Sequence, residues 1–464
     1  MKRLIFLTLA AAIVASCLNA WAEGDGPPPN VVLIFADDLG YSGLHDWGSD
    51  FLETPNIDAI GEAGMRFTNG LAAYPECKPT RGALLTGQYG SRTGIHRVVD
   101  RHAGNEDKIR FVVPANHDLS PSAITLAEVF RDHGYTTAMY GKWHVADNDE
   151  GHPIHHGFDE AIVSQSAHFN FRTWPEMPIP EPDMTAGEYL TDKAIEFMQS
   201  AVASKKPFFL YMPYFLIHKP LESRTEDIAH FEQKLAGSDD DSLPVVAAMT
   251  RDLDRLVGRL DAALNQMGVS GNTLVVFTSD NGSYNENLVG GFRGKKGQVY
   301  EGGMRVPYAF RFPGRIDAGT LADDRIITVD LYPTLLDFAG ITLPADTVLD
   351  GTSLKGLLTA QKKSLPERPL ICFFPKYTQF QPATGLWRDS WRNVLYRGDY
   401  KYIAYPEYGT SELFNLADDP GETNNLAGSE SMRLEAMRYE LEQILRGMNV
   451  PAPEPNPDYL PQKG

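Results

Sequence analysis

Four apolar runs in this chain stop on residues that can do chemistry. "NVVLIFADDLG" ends in Asp37 and Asp38, and "TTAMYGKWH" in Lys142 and His144. "PFFLYMPYFLIHKP" carries His218, and "NTLVVFTSDNG" ends in Asp280 and Asn281. Three carboxylates and an amide oxygen are hard donors that suit Ca2+ or Mg2+, whereas zinc would draw on His or Cys. The spacing in "DDLGYSGLHDWG" does not fit an EF-hand loop. Arg81, Lys142 and Lys296, with His144 and His218, would surround such a metal with positive groups and favour a small tetrahedral anion. A pair of aspartates after a strand is ordinarily a solvated turn. Four such endings in one chain are hard to attribute to turns.

A lone cysteine sits in "AAYPECKPTRGALLTGQY" (72–89). The pattern predicts a short helix over Thr80–Gln88, with Cys77 at its entrance. There the positive end of the helix dipole favours an anion, and a thiolate can form. A soft sulfur beside a hard cation is nevertheless a mismatch, and an oxygen nucleophile would fit better. The cysteines are Cys17, Cys77 and Cys372. In an oxidising compartment the simple expectation is a Cys77–Cys372 disulfide. The neighbours of Cys77 argue for a site residue instead.

Short apolar runs alternate with helical segments, which indicates α/β with a mostly parallel sheet flanked by helices. If the four strands are parallel neighbours, their carboxyl ends face one crevice. Between them, Pro121–His133 reads as a helix capped by Ser120. Leu243–Met267 reads as a long amphipathic helix with Val245, Met249, Leu253, Leu256, Leu260, Leu264 and Met267 on its core stripe. From about residue 363 the texture changes to antiparallel strands, with a hairpin turn at Arg397–Asp399. A last helix follows, with Leu434, Met437, Leu441, Ile444 and Met448 on one face. The division expected is a leader over 1–22, a catalytic domain over 27–362 and a smaller antiparallel-sheet plus helix subdomain over 363–464. The tail after Asn449 reads as irregular.

The 464 residues carry a formal charge of −19, which argues against a nucleic-acid partner. Lys2 and Arg3 precede an apolar run that is too short to make a good membrane span, which reads as an export signal. Cleavage after Ala22 competes with cleavage before Cys17, where "VAS" resembles a lipobox and would leave a lipid-anchored protein. Loss of 1–22 takes the charge from −19 to −21. The destination expected is periplasmic or extracellular, or an outer-membrane lipoprotein.

The motifs resemble those of the sulfatase family over nearly the whole mature chain. The family pattern Cys-x-Pro-Ser-Arg is here Cys77-Lys78-Pro79-Thr80-Arg81, followed by "GALLTGQY". Also similar are "ADDLG" (36–40), "TPNIDAIGEAGMRFTN" (54–69), "GKWH" (141–144), "HGFDE" (156–160), "IHKP" (217–220), "SDNG" (279–282), "RGKKGQVYEGGMRVP" (293–307) and "LFNLADDPGETNNLA" (413–427). The resemblance implies an alkaline-phosphatase-like fold and hydrolysis of an organic sulfate, a sulfated carbohydrate fragment or an aryl sulfate. It implies that a maturing enzyme oxidises Cys77 to formylglycine and that one Ca2+ is held by Asp37, Asp38, Asp280, Asn281 and residue 77. It assigns sulfate binding to Lys142, His218 and Lys296, protonation of the leaving oxygen to His218 or Lys296, deprotonation of the second hydroxyl to His144, and orientation of residue 77 to Arg81. Lys295 reads as an exposed neighbour of Lys296. Thr80 departs from the family's Ser.

Among the other histidines, His96, His102, His117, His152 and His155 read as loop or core residues. His156 reads as structural. His168 and Arg172, in "SQSAHFNFRTW" (164–174), are candidates for a substrate pocket. Two other readings stay open. One is a phosphatase or phosphonate hydrolase of the wider superfamily, and Asn281 disfavours its zinc. The other is a non-catalytic protein that binds sulfated glycans.

Overall fold

The computed structural model describes residues 26–98, 107–110, 118–343, 347–381 and 386–460. The expected leader, Cys17, His102 and His117 lie outside the described residues.

Eight strands form one mixed sheet. They are β1 (Asn30–Ala36), β2 (Met65–Phe67), β3 (Thr136–Gly141), β4 (Glu160–Val163), β5 (Phe208–Pro213), β6 (Thr273–Ser279), β7 (Tyr308–Arg311) and β8 (Thr320–Ala322). Their order is β8-β2-β7-β6-β1-β5-β3-β4. The five strands from β6 to β4 run parallel, and β7 runs antiparallel to both of its neighbours. The four strands with reactive endings are therefore adjacent, in the order β6-β1-β5-β3. Register aligns their ends: Ala36 lies beside Ser279, and Phe35 beside Pro213.

Every residue of β1, β5 and β6 is buried, because helices cover both faces. On one face Val31, Leu33, Phe35, Phe209 and Val276 pack with Leu84, Leu126 and Phe130. On the other, Val32, Ile34, Leu210 and Phe277 pack with α3 (Ala186–Ala203) and α4 (Leu243–Gln266). The α4 stripe is core from Met249 to Leu264, and Val245 and Met267 at its ends are partly buried.

A second, antiparallel sheet comprises β9 (Leu370–Phe374), β10 (Arg392–Arg397), β11 (Tyr400–Tyr405) and β12 (Thr410–Asn415). Met437 and Leu441 of α5 (Ser431–Gly447) are buried against it, and Leu434, Ile444 and Met448 pack around them. Between the two sheets lies α1 (Cys77–Thr86), all of whose residues are buried. Leu84 and Leu85 join the core of the large sheet, and Ala83 joins the core of the second.

Four local expectations need correction. The helix expected over Thr80–Gln88 starts at Cys77 and stops at Gly87, because Pro79 fits a first turn that has no use for its N–H. The helix expected over Pro121–His133 is α2, Leu126–Asp132. The Thr125–Glu128 capping box fixes its start, and Ser120 caps only a turn through Ser122. Cys77 and Cys372 form no disulfide; both are free and buried, Cys372 within β9. The tail is not wholly irregular, since Glu454–Pro455 pairs antiparallel with Ile109–Arg110.

A buried ion cluster ties the second sheet to the segment that leads into β7. Lys401 of β11 is fully buried and lies 3.0 Å from Glu301 and 2.7 Å from Glu422. Glu301 also accepts from Arg305 at 2.8 Å and from Tyr396 at 2.9 Å. Substituting Lys401→Met leaves two buried carboxylates short of a cation, so calorimetry should show destabilisation of about 3–5 kcal/mol. A wild-type unfolding profile would contradict this reading of the cluster.

Candidate active site

Each reactive residue leaves the carboxyl end of a parallel strand or sits on α1. Asp37 follows β1, and its N–H donates to the Leu216 carbonyl at 2.8 Å. Asp280 follows β6, and its N–H donates to the Ala36 carbonyl at 3.2 Å. Lys142 follows β3, with its N–H 2.6 Å from the Pro213 carbonyl. That approach requires Gly141: its φ is +146°, and a Cβ there would stand 2.0 Å from the Pro213 oxygen. His218 ends the loop after β5. Lys296 comes from the loop after β6, where the Gly297 N–H donates to the Pro75 carbonyl at 2.8 Å. That bond docks the Lys296 loop on the segment that precedes Cys77.

Arg81 sits at the centre with no exposure. Its Nη2 and Nε donate to Asp280 Oδ2 at 2.7 and 3.0 Å, and its Nη1 to the Lys142 carbonyl at 3.0 Å. Lys142 Nζ donates to Asp37 at 2.6 Å, and Lys296 Nζ to Asp38 at 2.8 Å. His218 Nε2 stands 3.8 Å from Asp38. Asn281 Nδ2 donates to Asp38 Oδ1 at 2.8 Å. All the residues singled out from the sequence as site residues thus belong to one cluster, apart from His144, which joins it through its backbone placement after Lys142. Lys295 points outward to Glu286, as expected.

The electrostatics mark a place for a cation. Ligand atoms of Asp37, Cys77 and Asp280 lie within 4.8 Å of one another, as do those of Asp37, Asp38 and His218. Asp37 Oδ1 and Asn281 Oδ1 are buried with no hydrogen-bond partner. Unpaired oxygens at such depth are costly unless a metal or another donor meets them. Burial and the charge of Asp37 push Asp280 up to about 7 despite Arg81. Burial acts upward on Asp38 too, but Lys296, His218 and Lys142 outweigh it and hold that carboxyl down at about 2. Burial raises the Cys77 thiol, so the thiolate considered from the helix dipole is disfavoured. Burial also lowers both His144 and His218, with the nearby lysines adding to it. The donor set, hard oxygens with an amide, fits Ca2+ or Mg2+.

Thr80 uses its hydroxyl in the turn that enters α1. Its one hydroxyl proton faces the Tyr74 and Glu76 carbonyls, at 3.0 and 2.9 Å, and its oxygen accepts from the Tyr74 N–H at 3.1 Å. The hydroxyl fixes the turn into α1, and Thr80 is fully buried there. Of the pocket candidates, Arg172 is exposed. His168 is buried, with Nε2 2.8 Å from the His218 carbonyl and its ring stacked on Phe215. His156 is buried beside Trp143, in keeping with a structural role. Sequence reasoning passed over Gln165, whose side chain reaches the backbone at Trp143 and His144. Nothing but its place in the polar loop "SQSAHFNFRTW" could have flagged it.

A doubly covered parallel sheet with hard oxygen donors and buried cations at its carboxyl edge defines an enzyme built to act on an ester of a small tetrahedral oxyanion. The family profile "Sulfatase" matches residues 29–341. A second profile, "N-sulphoglucosamine sulphohydrolase, C-terminal", matches residues 291–449. N-acetylgalactosamine-6-sulfatase of Mus musculus is 31% identical over 456 residues, covering 88% of this chain and 84% of the relative. Arylsulfatase A of Homo sapiens is 31% identical over 470 residues, covering 90% of this chain and 87% of the relative. The crystal structure of Ps i-CgsB in complex with k-i-k-neocarrahexaose superposes with a TM-score of 0.76 at 27% identity, covering 90% of this chain and 93% of that one. The chain belongs to the sulfatase family. It is a sulfuric ester hydrolase with the alkaline-phosphatase-like fold.

Thr80→Val would leave the Tyr74 N–H without its acceptor in a buried turn, a loss of about 1–3 kcal/mol. Thr80→Ser keeps the hydroxyl. Thermal unfolding should separate the two variants, and equal midpoints would refute the role given to the hydroxyl.

Proposed function

We propose that this chain removes sulfate from sulfated carbohydrates outside the cytoplasm, using a formylglycine made from Cys77 and one Ca2+ held by Asp37, Asp38, Asp280, Asn281 and residue 77. The observation that carries this reading is the buried meeting of Cys77 with Asp37 and Asp280, ligand atoms within 4.8 Å, beside two oxygens that have no hydrogen bond. Bound there, a calcium ion would supply polarisation of the sulfate, and the hydrated aldehyde would supply the attacking hydroxyl.

The chain's own residues do the rest. Lys142, His218 and Lys296 neutralise and orient the sulfate oxygens. His218 or Lys296 gives its proton to the alcohol oxygen as the ester bond breaks. His144, whose Nδ1 is buried and unpartnered, takes the proton whose removal lets sulfate depart. Arg81 holds Asp280 and the backbone at Lys142 in place.

The carbohydrate class rests on the relatives. One is named for a sulfated N-acetylgalactosamine, and a structural neighbour was solved with a neocarrahexaose. Residues 27–362 form the catalytic part on this reading, with 363–464 as the supporting subdomain. The partners are a maturing enzyme that reads the Cys77–Arg81 motif and a sulfated glycan fragment. Export follows from the leader, with cleavage after Ala22 or lipid attachment at Cys17. Among the described residues, no helix is long and apolar enough to cross a membrane.

The test starts from protein made in a host that matures sulfatases. Mass spectrometry of the tryptic peptide Phe67–Arg81 should show an aldehyde at position 77. The enzyme should hydrolyse an aryl sulfate far faster than the matching aryl phosphate, lose that activity on chelation and regain it with Ca2+. A panel of sulfated sugars should include substrates. An unmodified Cys77 in active protein, or preference for the phosphate, would overturn the chemistry. Turnover of aryl sulfates alone would overturn the carbohydrate assignment.

A further inference from the structure

His144 has a φ of +64°, the left-handed region that a non-glycine residue enters at a cost of about 1 kcal/mol or more. The chain turns sharply here. Lys142 is still held by the backbone of β5, through the Pro213 carbonyl. Beyond it the strand has ended, and the N–H groups of Trp143 and His144 have no strand partner. Both donate instead to one atom, Gln165 Oε1, at 3.1 and 3.0 Å. Two converging N–H donors require the carbonyl oxygen of the amide there, since the NH2 end has nothing to accept with.

Gln165 is itself well placed to act as an anchor. It follows β4, whose Val163 is in register with Gly141 of β3. The Ser164 N–H then donates to the Gly141 carbonyl at 3.0 Å. The β3–β4 pairing thus continues to Ser164, and the Gln165 side chain extends it by supplying the acceptor that the diverging backbone lacks. The far side of the turn is pinned by the Trp143 indole, which is buried and donates to the Gly151 carbonyl at 2.9 Å. Beyond the turn the chain is tied again at Val145, whose carbonyl accepts from the Leu119 N–H at 2.8 Å, and Gln165 holds the backbone between these ties.

We propose that Gln165 is a positioning residue: it clamps the backbone at Trp143 and His144 so that the His144 imidazole stands where it can take the proton during sulfate release. This rests on the role given to His144 above. Lys142, His218 and Lys296 are held by other contacts, so the clamp governs turnover and not substrate binding.

The experiment measures kcat and KM on an aryl sulfate for the full mature chain and for Q165L, Q165E, H144A and Q165L/H144A, with thermal midpoints and a crystal structure of Q165L. Expected is a kcat for Q165L lower by about 10- to 100-fold, with KM within about twofold. Q165E, which keeps the acceptor, should return to within about threefold of wild type. In the H144A background, Q165L should cost nothing further, and the Q165L crystal structure should show His144 out of the left-handed region. Should Q165L not fold, Q165N keeps the amide one methylene short and carries the same expectations. Wild-type turnover by Q165L, or an equal loss with and without His144, would overturn the clamp. Wild-type turnover by H144A would overturn the role of His144 and the clamp with it, whereas the other results leave that role standing.

Discussion

The structure depends on one buried ion pair. Arg81 has no contact with solvent, and its partner Asp280 has none either. A guanidinium at that depth is tolerable only if its donors are met, and two go to Asp280 while a third meets the Lys142 carbonyl. The pair joins three elements: α1, the end of β6 and the end of β3. Because Arg81 and Cys77 are four residues apart on one helix, they share a face. Fixing Arg81 on Asp280 therefore turns Cys77 toward Asp37 and Asp280. The second sheet, packed on the other side of α1, keeps the helix from backing away.

Around that pair the site is a balance of opposite charges. Asp37 leans on Lys142, and Asp38 on Lys296, each within hydrogen-bond distance. Two oxygens, on Asp37 and Asn281, are left without donors. The protein spends backbone conformation here as well, since Asp38 and His144 both have φ of +64°. Such positions persist only where neighbouring contacts over-determine them. For Asp38 these are its N–H to Asp280 and the Asn281 amide on its carboxylate. For His144 the contact is Gln165.

Much of this is legible in the sequence. Strands buried on both faces read as unbroken apolar runs, so β1 and β6 were expected where they occur, while the run read through to His218 is strand only as far as Pro213 and the rest is the loop that carries His218. The hairpin at Arg397–Asp399 and the α5 stripe were legible for the same reason, periodicity set by burial. What was not legible depends on partners far along the chain. The early start of the helix at Cys77 is an exception, since Pro79 in its first turn is a local signal. Cys372 does not reveal that it is core to β9 and not a disulfide partner. Glu301 meets Lys401, 100 residues later, and Glu422, 121 residues later, and Gln165 acts on a backbone more than twenty residues earlier. Side chains that serve a distant backbone leave no local pattern.

On the proposed function, the pocket beside Arg81 holds one hard cation next to a modified residue 77. X-ray diffraction from crystals of the mature protein grown with Ca2+, with anomalous data to identify the ion, tests it most directly. The account predicts a single calcium touching Asp37, Asp38, Asp280, Asn281 and residue 77, with oxygen and not sulfur at the end of that side chain. Two zinc ions, or an intact Cys77 thiol beside an ion-free cluster in active enzyme, would contradict it.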